Sequence, residues 1–85
     1  MPYEHWAYFP TQEEAQACAD VLTRDLGADV LVRLAANGSE WLLTARIDLA
    51  PDGLPESRSQ VRRAVASHSG EYDGGEAGPL REVTN

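Results

Sequence analysis

The sequence contains no lysine. All seven basic residues are arginines, and 14 acidic residues bring the formal net charge of the 85-residue chain to −7. Phosphate backbones repel such a chain, so general electrostatics excludes non-specific nucleic-acid binding and makes a basic protein surface the expected charged partner. The excess of negative charge lies mainly in the first 30 residues of the chain. Residues 1–30 hold six acids against one arginine (−5), and residues 31–85 hold eight acids against six arginines (−2).

Cysteine and long apolar runs are also scarce. One cysteine, Cys18, excludes an internal disulfide and a cysteine-rich metal site. No apolar run approaches the ~20 residues of a membrane span, and residues 1–10 lack the basic start of a secretory signal. We therefore expect a cytoplasmic protein with no membrane contact. Its length suits one small domain, which we place at residues 1–75, followed by a polar tail at 76–85.

Catalytic and cofactor motifs are missing too. There is no G-x-S-x-G, H-x-x-x-H or C-x-x-C, and Gly74-Gly75 lacks the lysine of a phosphate loop. His5 and His68 are 63 positions apart, and Cys18 falls on an apolar helix stripe, where a buried thiol is usually inert. We predict no enzymatic activity, no cofactor and no metal.

The aromatic-rich segment at residues 3–9 ends at Pro10 and suits a strand. Either face of this strand could be the buried one. One face carries His5, Ala7 and Phe9, and the other carries Glu4, Trp6 and Tyr8. Next comes a helix, begun by a capping box and ended by Gly27. The capping pair is Thr11 and Glu14, and the apolar stripe is Ala15, Cys18, Ala19, Leu22 and Leu26.

From residue 29 to residue 48 the period changes to two. Asn37-Gly38 predicts a two-residue type I′ hairpin turn, in which both residues need a positive φ. This turn fixes the register and leaves one continuous apolar face. The resulting pairs are Ala36 with Ser39, Leu34 with Trp41, Val32 with Leu43, Val30 with Ala45, and Asp29 with Arg46.

A loop at residues 50–55 then leads into a second helix, which we expect to start near Pro55 and to close at Gly70. Its inward stripe is Val61, Ala64, Val65 and His68. A short last strand at residues 71–73 should end at Gly74-Gly75. The order β-α-β-β-α-β predicts an α+β ferredoxin-like plait, a four-stranded antiparallel sheet with both helices on one face and the first strand beside the third.

In such a plait the sheet face away from the helices is the candidate binding surface. If Phe9 points inward, Trp6 and Tyr8 lie on that face with Leu31 and Leu42. Similar faces in RNA-recognition modules stack bases, but the basic and glycine-rich signature of those modules is absent here. Contact with a protein partner and cover by a second copy of the chain or by the tail are left as alternatives.

Two stretches carry a resemblance to a known family. Residues 8–15 (YFPTQEEA) and residues 70–74 (GEYDG) resemble the strand-to-helix entry and the closing G-x-Y-D-G motif of the ribonuclease E inhibitor family, regulator of ribonuclease activity B (RraB). The likeness extends over residues 3–75. One departure is Gly75, where the family commonly has tryptophan. The resemblance implies a non-catalytic domain, without cofactor, that binds ribonuclease E or a related endoribonuclease and modulates RNA processing and decay.

An acidic domain could dock on the arginine-rich segments of such a nuclease. We expect partner contacts from the acidic residues Glu13, Asp20, Glu71 and Glu76 and from the apolar residues Trp6, Tyr8 and Leu42. The motif residues Tyr72, Asp73 and Gly74 are expected to be structural, with Asp73 satisfying backbone donors in a turn. The alternative function is a self-associating or scaffold module without a nuclease partner, for which a homodimer is the simplest form.

Overall fold

The computed structural model describes residues 1–50 and 52–77. Six elements follow one another: β1 (Pro2–Phe9), α1 (Gln12–Leu26), β2 (Asp29–Leu34), β3 (Trp41–Asp48), α2 (Leu54–Ser67) and β4 (Glu71–Ala77). The strands form one antiparallel sheet in the order β2-β3-β1-β4. This arrangement confirms the ferredoxin-like plait, with β1 beside β3. Within the described ranges, neither helix is long and apolar enough to cross a membrane.

β1 is a central strand, and its burial alternates strictly along its length. Tyr3, His5, Ala7 and Phe9 are buried beneath the helices, and Phe9 is completely inaccessible. Trp6 and the other intervening residues point to the opposite face and are half-buried. The structure therefore selects one of the two alternatives for this strand.

α1 begins and ends as predicted. The Thr11 hydroxyl accepts a hydrogen bond from the Glu14 backbone N–H (3.2 Å) and donates one to the Glu14 carboxylate (3.1 Å). The Glu14 side chain thus bonds the cap hydroxyl, where a complete capping box would have it accept from the Thr11 backbone. Gly27 ends the helix in the left-handed conformation (φ 65°). The stripe is buried at Ala15, Cys18, Ala19 and Leu22 and half-buried at Leu26.

The hairpin has the predicted register but a different turn. Leu34 lies opposite Trp41, and the pairs Val32–Leu43 and Val30–Ala45 follow. A type I′ turn was the wrong prediction, because Asn37 does not adopt a positive φ and only Gly38 does (φ 76°). The Asn37 side chain closes a longer loop instead: its Oδ1 accepts from the backbone N–H groups of Ser39 (2.9 Å) and Glu40 (3.2 Å).

α2 begins at Leu54, so Pro55 lies in the first turn as expected. The helix buries Val61 and Val65, but it also buries Ser57, which the apolar stripe did not include. The prediction that Gly70 closes the helix is wrong, because the helix ends at Ser67, and Ser69, not Gly70, takes the left-handed conformation (φ 65°). The Gly70 N–H then donates to the carbonyl oxygen of Val65 (2.9 Å), which completes the turn.

β4 is longer than the sequence suggested. The predicted end at Gly74-Gly75 is wrong, because the strand continues through both glycines to Ala77. The register shifts between Trp6 and Ala7 of β1, which places Asp73 in a bulge. The backbone at Gly74 has a φ of 112°, a conformation that residues with a side chain rarely adopt. Glycine at this position therefore allows the strand to continue. Glu76 and Ala77 of the predicted tail belong to β4, and residues 78–85 lie outside the described residues.

Candidate functional site

The sheet face away from the helices is formed by three rows of residues that cross all four strands. Residues opposite one another in antiparallel strands point to the same face, so the pairing registers define these rows. From β2 to β4 they read Leu31-Thr44-Trp6-Gly74, Arg33-Leu42-Tyr8-Glu71 and Asp29-Arg46-Glu4-Glu76. We call these twelve residues the outer face.

The apolar residues predicted for partner contact lie together at the centre of the outer face. Tyr8 pairs with Leu42, and Trp6 is its neighbour two positions along the same strand. All three are half-buried, whereas Leu31 at the β2 end of the Trp6 row is 59% exposed. Aromatic rings beside aliphatic side chains are typical of the centres of protein–protein interfaces.

Charge is distributed unevenly over the outer face. On the β4 side, Glu71 and Glu76 are exposed, and Glu4 of β1 lies opposite Glu76. The arginines Arg33 and Arg46 are confined to β2 and β3. Among the residues that the structure describes, the half of the face formed by β1 and β4 therefore has two aromatic side chains and three carboxylates, with no basic residue.

The two remaining acidic candidates lie elsewhere. Glu13 and Asp20 are exposed on α1, where Asp20 accepts a hydrogen bond from the Gln16 side chain (3.2 Å). The helices cover the inner face of the sheet, so the sheet separates α1 from Trp6 and Tyr8. The structure thus divides the predicted partner-binding residues between two opposite surfaces.

Sequence reasoning missed a buried polar network on the inner face. His5 is fully buried; its Nδ1 lies 2.7 Å from the Tyr72 hydroxyl and its Nε2 lies 3.2 Å from the Ser57 hydroxyl. Tyr3 packs edge-on against the His5 ring, at 4.8 Å between centroids, and receives a long hydrogen bond from the Arg58 guanidinium (3.5 Å). These contacts join β1, α2 and β4. Alternation in β1 left the burial of His5 as one of two alternatives, and no spacing rule pointed to Ser57.

The network holds His5 in its neutral form. Burial, and secondarily the positive charge of Arg58, lower the pKa of His5 to about 4. A neutral imidazole has one donor and one acceptor nitrogen, and either hydroxyl can fill either role. Burial also raises the pKa of Tyr72. With its ring inaccessible to any substrate, His5 serves as a structural connection between three elements.

The closing motif has structural contacts. Tyr72 lies on the inner face opposite Ala7, bonds His5, and has the Arg62 guanidinium 5.6 Å from its ring centroid. Asp73 lies in the strand bulge, so the turn in which we expected it to act is not formed there. At Gly75 a Cβ atom would lie 2.5 Å from the carbonyl oxygen of Glu4 and 2.6 Å from the Tyr3 ring. A tryptophan therefore does not fit this position as the strand is packed.

Cys18 and His68 are the other two side chains that the sequence offered for reactive chemistry. Burial raises the pKa of Cys18 to about 11, which keeps the thiol protonated. His68 is half-buried, and its Nδ1 donates to the carbonyl oxygen of Ala64 (2.8 Å). Among residues 1–50 and 52–77, no three His, Cys, Asp or Glu side chains are grouped to hold a metal ion.

Comparison with known proteins supports the fold alone. No protein-family model and no curated protein matches the sequence. Among solved structures, a formyltetrahydrofolate deformylase from Pseudomonas putida is similar, with a TM-score of 0.64 at 7% sequence identity. The similarity covers 92% of this chain but only 29% of the deformylase. At this identity the match describes how the backbone is arranged and carries no information about activity.

Proposed function

We propose that this chain is a non-catalytic regulator that binds a basic segment of an endoribonuclease on the β1–β4 half of its outer face. The observation that carries the proposal is the combination of Trp6 and Tyr8 with the carboxylates of Glu4, Glu71 and Glu76 on one surface. Aromatic rings offer area for burial, and the surrounding carboxylates attract and orient a cationic chain.

The charge distribution favours a protein over RNA as the occupant. A plait that stacks bases needs basic residues beside its aromatic side chains, to neutralise the phosphates. Here the residues paired with Tyr8 and Glu4 on β4 are Glu71 and Glu76, both acidic and exposed. The net charge of −7 acts in the same direction at longer range. An arginine-rich protein segment has the complementary charge.

The class of partner rests on the resemblance of residues 8–15 and 70–74 to the ribonuclease E inhibitor family. Ribonuclease E or a related endoribonuclease is therefore the first partner to test. Occupation of its arginine-rich segments would compete with RNA for the same positive charge and lower or redirect cleavage. We place this function in the cytoplasm, where such a nuclease acts on its substrates.

The test is capture of the nuclease from the native organism on the immobilised chain, followed by titration with the purified nuclease. We expect capture by the unaltered chain and at least about tenfold weaker binding by Tyr8→Glu, which places a charge at the centre of the apolar area. Ala17→Glu, on exposed α1, adds the same charge away from the outer face and should bind normally.

Circular dichroism should show that both variants fold. Absence of the nuclease from the captured proteins would overturn the proposed partner. Equal binding by Tyr8→Glu and the unaltered chain would overturn the proposed surface. Quenching of Trp6 fluorescence by a single-stranded oligonucleotide at low salt would favour RNA as the occupant and contradict the protein-binding proposal.

A further inference from the structure

β2 ends the sheet, so one of its two edges has no strand partner within the described residues. The strand is short and carries the exposed Leu31 (59%) and Leu34 (50%). Asp29 and Arg33 are also exposed, two positions to either side of Leu31. The ion pairs formed within residues 1–50 and 52–77 join Met1 to Asp48 and Arg24 to Asp25, and neither involves Asp29 or Arg33.

The hairpin register shows which backbone groups face the open edge. The Ala35 N–H donates to the carbonyl oxygen of Glu40 (2.8 Å), so Ala35 faces β3. Backbone direction alternates along a strand, and the pairing of β2 with β3 is regular from Asp29 to Leu34. The N–H and C=O groups of Val30 and Val32 therefore point outward, where an added strand would meet them.

The order of residues in β2 is complementary to itself when the strand is reversed. In an antiparallel pair of two copies centred on Leu31, Asp29 lies opposite Arg33 of the second copy, and Arg33 lies opposite its Asp29. Leu31 meets Leu31, and Val30 meets Val32. The two valine pairs are the ones whose backbone groups face the edge, so they supply four hydrogen bonds. Leu31 and the charged pairs occupy the positions where opposed side chains approach most closely.

We infer that two copies of this chain associate through their β2 edges, related by a two-fold axis at Leu31, to form a continuous eight-stranded sheet. The charge complementarity of Asp29 and Arg33 favours a second copy over any other occupant. In the two-fold symmetric pair, Asp29 of each copy lies opposite Arg33 of the other, so two ion pairs form at once. Charged residues on edge strands often prevent pairing. Here the spacing of the two charges selects one register. A pairing shifted by four residues would place Asp29 opposite Asp29, or Arg33 opposite Arg33, and like charges repel, whereas the pairing centred on Leu31 joins opposite charges. This inference is independent of the proposed function, which uses the opposite end of the sheet.

Charge reversal with mixing tests the register. Asp29→Arg gives two arginines on the edge and Arg33→Asp gives two aspartates, so each variant alone should repel its own copy. An equimolar mixture should pair, since every contact then joins an arginine to an aspartate. We expect the unaltered chain and the mixture to approach twice the monomer mass in sedimentation equilibrium between about 10 μM and about 1 mM, the range for a small interface. Each single variant should remain a monomer.

A second measurement addresses the backbone. Val32→Pro removes an outward N–H, which an edge strand tolerates, and should abolish dimerisation while the circular dichroism spectrum is retained. Glu13→Arg on α1 is the charge control and should leave the mass unchanged. A monomeric unaltered chain at the highest concentration would overturn the inference. A dimer that persists in both single variants, or one that Tyr8→Glu abolishes and Val32→Pro does not, would also overturn it.

Discussion

His5 connects three elements at the centre of the molecule, because its ring on β1 contacts Tyr72 of β4 and Ser57 of α2. A buried polar side chain contributes to stability only while its hydrogen bonds are made. The network therefore makes the packing of β4, the last strand of the sheet, depend on the protonation state of a single residue. A proton on His5 would add a charge beside Arg58 in a site from which water is excluded.

We predict that His5 makes the chain less stable in mild acid. Its pKa is about 4 in the folded chain and 6.5 for a histidine in the unfolded chain, so between these values the unfolded chain binds a proton that the folded chain does not. The free energy of unfolding should fall as the pH decreases through this window, by roughly 3 kcal/mol at pH 4. Urea unfolding at pH 7, 5.5 and 4.5 measures it. His5→Gln, which does not titrate, should lose this part of the slope; an identical slope in both proteins would contradict the prediction.

Gly75 is fixed by close packing with β1. We expect Gly75→Ala to lower the free energy of unfolding by about 2 kcal/mol, because the added methyl group meets the Glu4 carbonyl oxygen and the Tyr3 ring. Most of this loss should persist in a Tyr3→Leu background, since the carbonyl oxygen cannot move aside as a side chain can. Thermal or urea unfolding of the four proteins measures it. A Gly75→Ala variant as stable as the parent would show that β4 can move away from β1.

At the scale of elements, the Asn37 side chain takes over part of the turn that its backbone was predicted to form. Its Oδ1 accepts from two backbone N–H groups that would otherwise need water. We predict that Asn37→Ala destabilises the chain by about 1 kcal/mol, whereas Asn37→Asp, which keeps the acceptor, has a smaller effect. Urea unfolding checks both. Equal losses in the two variants would show that the amide nitrogen, which donates to Glu40, is the important group.

The elements differ in how far local sequence determined them. The Asn37-Gly38 turn, together with the alternation from Val30 to Ile47, predicted the β2–β3 register. The register is as expected although the turn type is wrong, because a shift of one residue would expose the whole apolar face. The end of β4 could not be predicted in this way. Gly74 and Gly75 have no side chains to show alternation, and glycine pairs usually end strands. The strand continues because β1 offers backbone partners as far as Tyr3, a long-range contact that local sequence does not encode.

The same limit applies to the site. Alternation grouped Trp6 with Tyr8 on one face of β1 but left open which face is buried. The structure buries Phe9 and so places both aromatic residues on the outer face, beside Leu42. The burial of Ser57 depends on the approach of α2 to β1, which no periodicity in the helix indicates. Which residues share a face of one element was therefore predictable, whereas the choice of buried face in β1 and the network that crosses three elements were not.

At the scale of the whole molecule, the negative charge is divided between two surfaces. Residues 1–30 carry most of the excess, and α1 presents Glu13 and Asp20 on the helix side of the sheet. Glu71 and Glu76 border the aromatic residues on the other side. One basic segment docked as a rigid strand or helix cannot contact both surfaces, because the sheet lies between them. The total charge of the chain determines how strongly it attracts a basic partner at long range. The surface that touches the partner determines which carboxylates lose their counterions on binding.

We therefore predict that affinity for the basic partner falls steeply with salt and that the β4 carboxylates account for the contact part of this dependence. From about 50 mM to about 500 mM salt, binding of the unaltered chain should weaken by more than tenfold. Glu71→Gln with Glu76→Gln should bind more weakly at low salt and show a shallower slope. The matched pair Glu13→Gln with Asp20→Asn removes the same charge from α1 and should change both quantities much less. Fluorescence anisotropy with an arginine-rich segment of the nuclease measures all three proteins. A larger effect of the α1 pair would move the docking surface to the helices, and affinity unchanged across the salt range would exclude charge as the basis of recognition.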